Sequence, residues 1–170
     1  LILGEPGGRN TARTQRIAEA FANAGFETSV SASIEQEFWV KLLGNVAFNP
    51  ISALTHATLE EICRFPPSRD LAARMMSEAR SVGEKLGVEF KVSLDQRIAG
   101  AESVGAHKTS MLQDVEHGRA LELQALVGSV VELARITDTP TPTIDAIYAA
   151  TALLTKTLAD RGGRLEVLPA

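Results

Sequence analysis

The stretch that decides the fold is Phe38-Trp39-Val40-Lys41-Leu42-Leu43-Gly44-Asn45-Val46-Ala47-Phe48-Asn49-Pro50. Residues four apart share one face of a helix, so Lys41, Asn45 and Asn49 would form a polar stripe on an otherwise apolar helix. Burying an ammonium or an amide without a partner is costly, and the stripe is therefore expected to face a polar cleft that holds a small polar ligand. The alternative is a stripe that reaches solvent or is satisfied by neighbouring carbonyl groups.

The composition limits the class of protein. With 170 residues and 45% hydrophobic content, the chain can bury a core of one domain, or of one domain plus a fragment. A net charge of -4 without a basic cluster argues against nucleic acid and anionic membranes as partners. We see no membrane-spanning segment and no metal-ligand spacing. We interpret the single cysteine, Cys63, as a small buried apolar residue. A lone cysteine is typical of a protein in a reducing compartment, which favours a cytoplasmic location.

The first 32 residues predict a small β-α-β unit. Leu1 to Gly4 should form a strand, a helix capped by Asn10 or Thr11 should end at Gly25, and residues 26–31 alternate as a second strand does. Such a unit is too small to be a domain and is expected to be the edge of a larger α/β sheet. The chain has no G-x-G-x-x-G turn and does not begin with methionine. We therefore expect it to be part of a longer protein, with most of a nucleotide-binding half missing.

From Ser33 onward the pattern predicts helices only. Ser33 and Gln36 suggest a capping box, and the helix that follows is expected to reach Asn49, where Pro50 should break or kink it. A second piece should continue to about Arg64. The further predicted helices are 69–86, 93–101, 119–136 and 143–159, with a frayed tail after Gly163.

A second polar stretch runs from Lys108 to Leu123. In one continuous helix Ser110 and Glu122 would lie about 18 Å apart, at about 1.5 Å of rise per residue, and could not share a small ligand. Gly118 can adopt a positive φ and is a candidate for a break that brings Ser110 back toward Glu122. Without the break, the stretch is an ordinary amphipathic helix with a solvated charged face.

Together the two stretches resemble the ketopantoate reductase (2-dehydropantoate 2-reductase) family. The resemblance rests on Trp39-x-Lys41-x-x-x-Asn45-x-x-x-Asn49-Pro50, then Ser110-Met111-x-Gln113-Asp114 and Gly118-Arg119-x-x-Glu122. It implies a mainly α fold, namely the C-terminal helical bundle domain of a 6-phosphogluconate-dehydrogenase-like reductase. A β-α-β remnant of an α/β Rossmann domain would precede it. The implied domains are residues 1–32, the end of the dinucleotide-binding domain, and residues 33–170, the substrate-binding and catalytic domain.

The resemblance also implies an activity and its residues. The reaction would be the NADPH-dependent reduction of ketopantoate to pantoate, in pantothenate and coenzyme A biosynthesis. Lys41 would be the general acid that protonates the developing alkoxide. Asn45, Asn49 and Ser110 would bind the substrate, and Glu122 would reach the cofactor. NADPH would be bound mainly by a domain that this chain does not contain, so the fragment alone is expected to be inactive.

Some positions depart from the family pattern, and alternatives therefore stay open. Gln124 replaces an acidic residue, and Thr55, His56 and Thr58 occupy a segment where some members have an asparagine. One alternative is a related NADPH-dependent reductase of another 2-keto acid. The other is a non-catalytic helical dimerisation or interaction module, and a homodimer through the helical domain is compatible with either reading.

Overall fold

The computed structural model describes residues 1–164 and divides into two compact units, Leu1–Lys41 and the chain from Leu42 onward. Residues 165–170, and with them most of the predicted tail, lie outside the described residues. The sequence-based boundary between residues 32 and 33 concerns the domains of a whole protein and stays a prediction.

The first unit contains the predicted β-α-β arrangement. Strand β1 (Ile2–Leu3) is followed by helix α1 (Ala12–Asn23) and strand β2 (Ser29–Val30). The two strands pair in parallel, with Ile2 opposite Ser29 and Leu3 opposite Val30. Thr11 is the N-cap of α1, and its side chain accepts a hydrogen bond from the Thr14 amide. The strands are shorter than predicted, which is expected for a sheet of only two strands.

Glu5 ties the loop after β1 to helix α1. Its carboxylate accepts hydrogen bonds from Arg13 Nη2 at 2.5 Å, from Thr11 Oγ1 at 2.7 Å and from Thr14 Oγ1 at 3.0 Å. The hydrogen bond from Arg13, followed by those from Thr11 and Thr14, lowers the pKa of Glu5 to about 2. The loop is therefore held by an ionised carboxylate.

We expect this contact to weaken in acid. A lowered pKa in the folded state means that the stabilisation is complete above the unfolded pKa, near 4.5, and is lost as the pH falls toward about 2. An NMR titration of the Glu5 carboxyl should give a midpoint near 2 in the wild type and a clearly higher one in Arg13→Gln. Equal midpoints in the two proteins would show that Arg13 is not the cause.

Helix α2 (Ile34–Thr55) contains the deciding stretch and corrects the prediction at Pro50. The helix passes through Pro50 and ends six residues later than predicted. Ile51 and Ala53 are buried, so core packing offsets the hydrogen bond that proline cannot donate. Phe38 and Lys41 are exposed, although the helix is apolar around its polar stripe.

The regular elements that the structure describes in the second unit are all helical. After α2 come α3 (Leu59–Arg64), α4 (Pro66–Lys85), α5 (Leu94–Ser103), α6 (Ser110–Glu116), a π-helical turn (Gln124–Gly128), α7 (Ser129–Ile136) and α8 (Pro142–Asp160). Helix α4 packs against α3, α5, α7 and α8. The predicted mainly α domain is confirmed, and no helix within residues 1–164 has the length and apolar character needed to cross a membrane.

Two helix starts differ from the predicted ones by three or four residues. Helix α4 begins at Pro66 rather than at Arg69, because proline fits the first turn of a helix, where its missing N–H is not needed. The helix predicted from Arg119 begins only near Leu123, since Arg119 is held at the end of α6. Its amide and its Nε both bond to Asp114, at 2.8 and 2.7 Å.

Candidate functional site

Three of the predicted site residues line one cavity in the second unit. The cavity has a volume of about 290 Å³, and Asn45, Asn49 and Ser110 are in its wall. The rest of the wall consists of Gly44, Phe48, Leu59, Arg97, Ala101, Val104, His107 and Thr109. The structure thus brings together residues that are up to 65 positions apart in the sequence, as the two motifs predicted.

Asn45 and Asn49 lie in this cavity wall beside Phe48, whereas other apolar residues of α2 pack into the core. Leu42, Leu43, Val46 and Ala47 are all buried in the core. Asn45 is half-buried and Asn49 is 6% exposed. Neither side-chain amide has a hydrogen-bond partner among residues 1–164. Two shielded amides without a protein partner are able to bind a ligand at little cost in lost protein contacts.

Ser110 is placed by the loop that precedes α6. Thr109 caps this helix through a 3.2 Å hydrogen bond from the Leu112 amide. The amide of Leu59 donates to the carbonyl of His107 at 3.0 Å, which attaches the loop to the start of α3. Ser110 itself is exposed, and its hydroxyl has no partner among the described residues. It is therefore a third polar group available to a ligand.

Arg97 is a cavity residue that the sequence interpretation missed. It lies on α5, and its guanidinium packs against Gly44 of α2, one residue before Asn45. Burial lowers the pKa of the Arg97 guanidinium. The available signal was the spacing of Arg97, Ala101 and Val104, which places all three on one face of α5. The sequence did not show which face of α2 that helix covers.

Lys41 and Glu122 are not in the wall of this cavity. Lys41 is exposed and lies four residues before Asn45 on α2, as the last residue of the first unit. Glu122 is exposed in the segment between α6 and the π-helical turn. The predicted break before it is confirmed, since α6 ends at Glu116 and Gly118 has a φ of 63°. The roles of both residues stay predictions.

The positions that depart from the family pattern have structural roles. The side chain of Gln124 lies over Gly128 and accepts a 2.6 Å hydrogen bond from the Tyr148 hydroxyl, which joins the π-helical turn to α8. Thr58 forms a capping box with Glu61 at the start of α3. His56 has a φ of 59° at the end of α2, where its amide bonds to the Ser52 carbonyl.

The part of the chain that the structure describes gives no support for a metal site or for a reactive thiol. No group of His, Cys, Asp and Glu within residues 1–164 could hold a metal ion. Cys63 is buried, and its Sγ lies 3.7 Å from the Ile98 carbonyl oxygen. Burial, followed by the charge of Glu102, raises the pKa of the thiol, which makes it a poor nucleophile.

Comparison with known proteins agrees with this geometry. Residues 33–155 match the family model described as ketopantoate reductase PanE/ApbA C terminal. The 2-dehydropantoate 2-reductase of Mesorhizobium japonicum is 53% identical over 147 residues, which are 86% of this chain and 45% of the relative. The chain therefore spans about half the length of the curated relatives it matches.

Two solved structures show the same fold. The 2-dehydropantoate 2-reductase of Methylococcus capsulatus superposes with a TM-score of 0.86 and 28% identity, over 93% of this chain and 51% of that one. A dimeric ketopantoate reductase of Staphylococcus aureus gives a TM-score of 0.74 and 26% identity, over 88% and 53%. By the family model, which covers residues 33–155, this chain belongs to the C-terminal domain family of ketopantoate reductases.

Proposed function

We propose that this chain is the C-terminal part of a 2-dehydropantoate 2-reductase, which reduces ketopantoate to pantoate in pantothenate and coenzyme A biosynthesis. The observation that carries the proposal is the cavity of about 290 Å³ in which Asn45, Asn49 and Ser110 present polar groups that have no partner among residues 1–164. Residues 33–170 would be the substrate-binding and catalytic domain. Residues 1–32 would be the end of the dinucleotide-binding domain.

The proposed mechanism assigns a role to each polar side chain. Asn45, Asn49 and Ser110 hydrogen-bond the oxygens of the keto acid and fix its orientation. Lys41 stabilises the oxyanion that develops at the ketone oxygen and then donates a proton to it. The hydride comes from NADPH, which is held mainly by a dinucleotide-binding domain. Glu122 contacts the cofactor through a ribose hydroxyl or the carboxamide.

We expect the full-length protein to oxidise NADPH when ketopantoate is added. Spectrophotometric assays with NADPH and NADH, and with ketopantoate and other 2-keto acids, would define the cofactor and the substrate. The 170-residue chain alone should show no steady turnover, because it lacks a phosphate-binding G-x-G-x-x-G turn. Turnover of other 2-keto acids but not ketopantoate would favour the related reductase instead.

An interaction module is the second candidate, and exposed apolar side chains favour it. Ile136, at the end of α7, is 71% exposed, and Leu153 on α8 is 65% exposed. Such residues could pack against a second copy of the chain, and a homodimer is also compatible with the reductase. We also propose a cytoplasmic location, because the single cysteine, Cys63, fits a reducing compartment. A full-length protein that is dimeric but inactive with every 2-keto acid would support the module.

A further inference from the structure

We infer that Gln113 is a positioning residue, whose side-chain amide holds the loop before α6 so that Ser110 faces the keto acid. This inference rests on the proposed function. Gln113 lies on α6 and is half-buried, but it is not one of the residues in the cavity wall. Its effect on the substrate therefore has to pass through Ser110.

Gln113 bonds to both residues that precede Ser110. Its Nε2 donates a hydrogen bond to the carbonyl of Lys108 at 3.0 Å. Its backbone amide donates to the carbonyl of Thr109, also at 3.0 Å. One residue, placed almost one helical turn after Ser110, thus binds the two peptide units through which the chain enters the helix.

The loop before α6 has little apolar burial to hold it in place. Residues 106–108 are exposed, and Gly105 has a φ of 80°, in the left-handed region. A segment with few buried contacts keeps its shape mainly through its hydrogen bonds. The bonds that anchor this loop to the neighbouring helices therefore determine where its last residues lie.

The loop is anchored on two sides. On the α3 side, the amide of Leu59 donates to the carbonyl of His107 at 3.0 Å. On the α6 side, the anchor is the bond from Gln113 to Lys108. Leu59, His107 and Ser110 all belong to the cavity wall. Loss of the second anchor would let the chain move just before Ser110, and its hydroxyl would no longer be held at a fixed distance from the ligand.

The side chain of Lys108 makes a second contact with α6, but this contact constrains the backbone less. Its Nζ lies 2.6 Å from Oε1 of Glu116, and the two side chains are 49% and 31% exposed. An ion pair this exposed contributes little to stability. The long lysine side chain can also keep its partner while the backbone moves. The bond to the Lys108 carbonyl acts on the backbone itself, so we assign the positioning to Gln113.

Substitutions in the full-length protein test the inference. Gln113→Met and Gln113→Glu both remove the N–H donor and keep a side chain of similar length. Each is also made together with Ser110→Ala. Glu116→Gln removes the charge that pairs with Lys108. Gln96→Met is the matched control, since this exposed glutamine on α5 lies outside the cavity wall and also makes a side-chain bond to the backbone, at 2.9 Å.

The measurement is KM and kcat for ketopantoate and KM for NADPH, in proteins whose fold is checked by circular dichroism. We expect each Gln113 variant to raise KM for ketopantoate about 3- to 10-fold, the range of one lost hydrogen bond, and no more than Ser110→Ala does. Values of kcat and of KM for NADPH should change less than about twofold.

The double variants separate positioning from a general loss of structure. If Gln113 acts through Ser110, the effects of the two residues are not additive. In the Ser110→Ala protein, removal of the Gln113 donor should then change KM for ketopantoate less than about twofold. Glu116→Gln and Gln96→Met should each stay within about twofold of wild type.

Each contrary result has a different meaning. If the wild type does not reduce any 2-keto acid, the proposed function is wrong and the inference goes with it. If the wild type is active, folded Gln113 variants with the wild-type KM would overturn the inference alone. An equal rise in KM with and without Ser110 would also overturn it, because Gln113 would then act by another route. So would a rise of the same size in Glu116→Gln or Gln96→Met.

Discussion

Replacement of Lys41 by alanine in the full-length protein is expected to lower kcat for ketopantoate by about 100-fold or more, the usual effect of losing a general acid. The proton that neutralises the alkoxide would then have to come from water, and the oxyanion would lose its cation. KM should change much less than kcat, because Asn45, Asn49 and Ser110 would still bind the substrate. Steady-state assays together with circular dichroism would measure the effect in folded protein.

Two further variants separate the proton of Lys41 from its charge. Lys41→Arg keeps a cation that does not give up its proton near neutral pH, so it should recover little of the lost rate. Lys85→Ala removes an exposed lysine at the end of α4 and should leave kcat unchanged. A folded Lys41→Ala protein with wild-type kcat would remove Lys41 from the mechanism.

The placement of Asn45 and Asn49 in one cavity wall was predictable from the sequence because it depends on helical spacing. Asn45 and Asn49 are four residues apart on an otherwise apolar helix, and the buried neighbours leave only one face for them. The break at Gly118 was predictable for the same local reason, since glycine adopts a positive φ without strain. Both features are decided within a few residues of sequence.

Features that depend on tertiary packing were not predictable from the sequence. Pro50 would break an isolated helix, but α2 continues because the residues after it are buried. Arg97 resembles any surface arginine of an amphipathic helix until α5 is placed against Gly44. In the same way, the contact of Gln124 with Tyr148 becomes visible only when the π-helical turn and α8 are seen side by side.

A large effect on stability in the helical unit is expected at Glu78. Its two carboxylate oxygens accept hydrogen bonds from the amides of Thr143 and Ile144, each at 2.9 Å. These amides lie in the first turn of α8, just after Pro142, which has no N–H of its own to satisfy. Glu78 on α4 is half-buried and therefore joins α8 to the centre of the helical unit.

Glu78→Ala should lower the free energy of unfolding by about 3 kcal/mol, since it leaves two amides at a helix start without an acceptor and removes a charge that favours that end of the helix. Denaturant titration of the 170-residue chain, followed by circular dichroism, would measure this loss. A fall in Tm of roughly 6 to 12 °C should accompany it.

Glu78→Gln is expected to lose about half as much, because its carbonyl oxygen still accepts one hydrogen bond. The matched control is Glu84→Ala on the same helix, which removes only an exposed ion pair with Arg80 and should cost less than about 0.5 kcal/mol. If Glu78→Ala and Glu84→Ala destabilised the chain equally, the attachment of α8 would not depend on the Glu78 carboxylate. The packing of the apolar faces of α4 and α8 would then be the main contact between them.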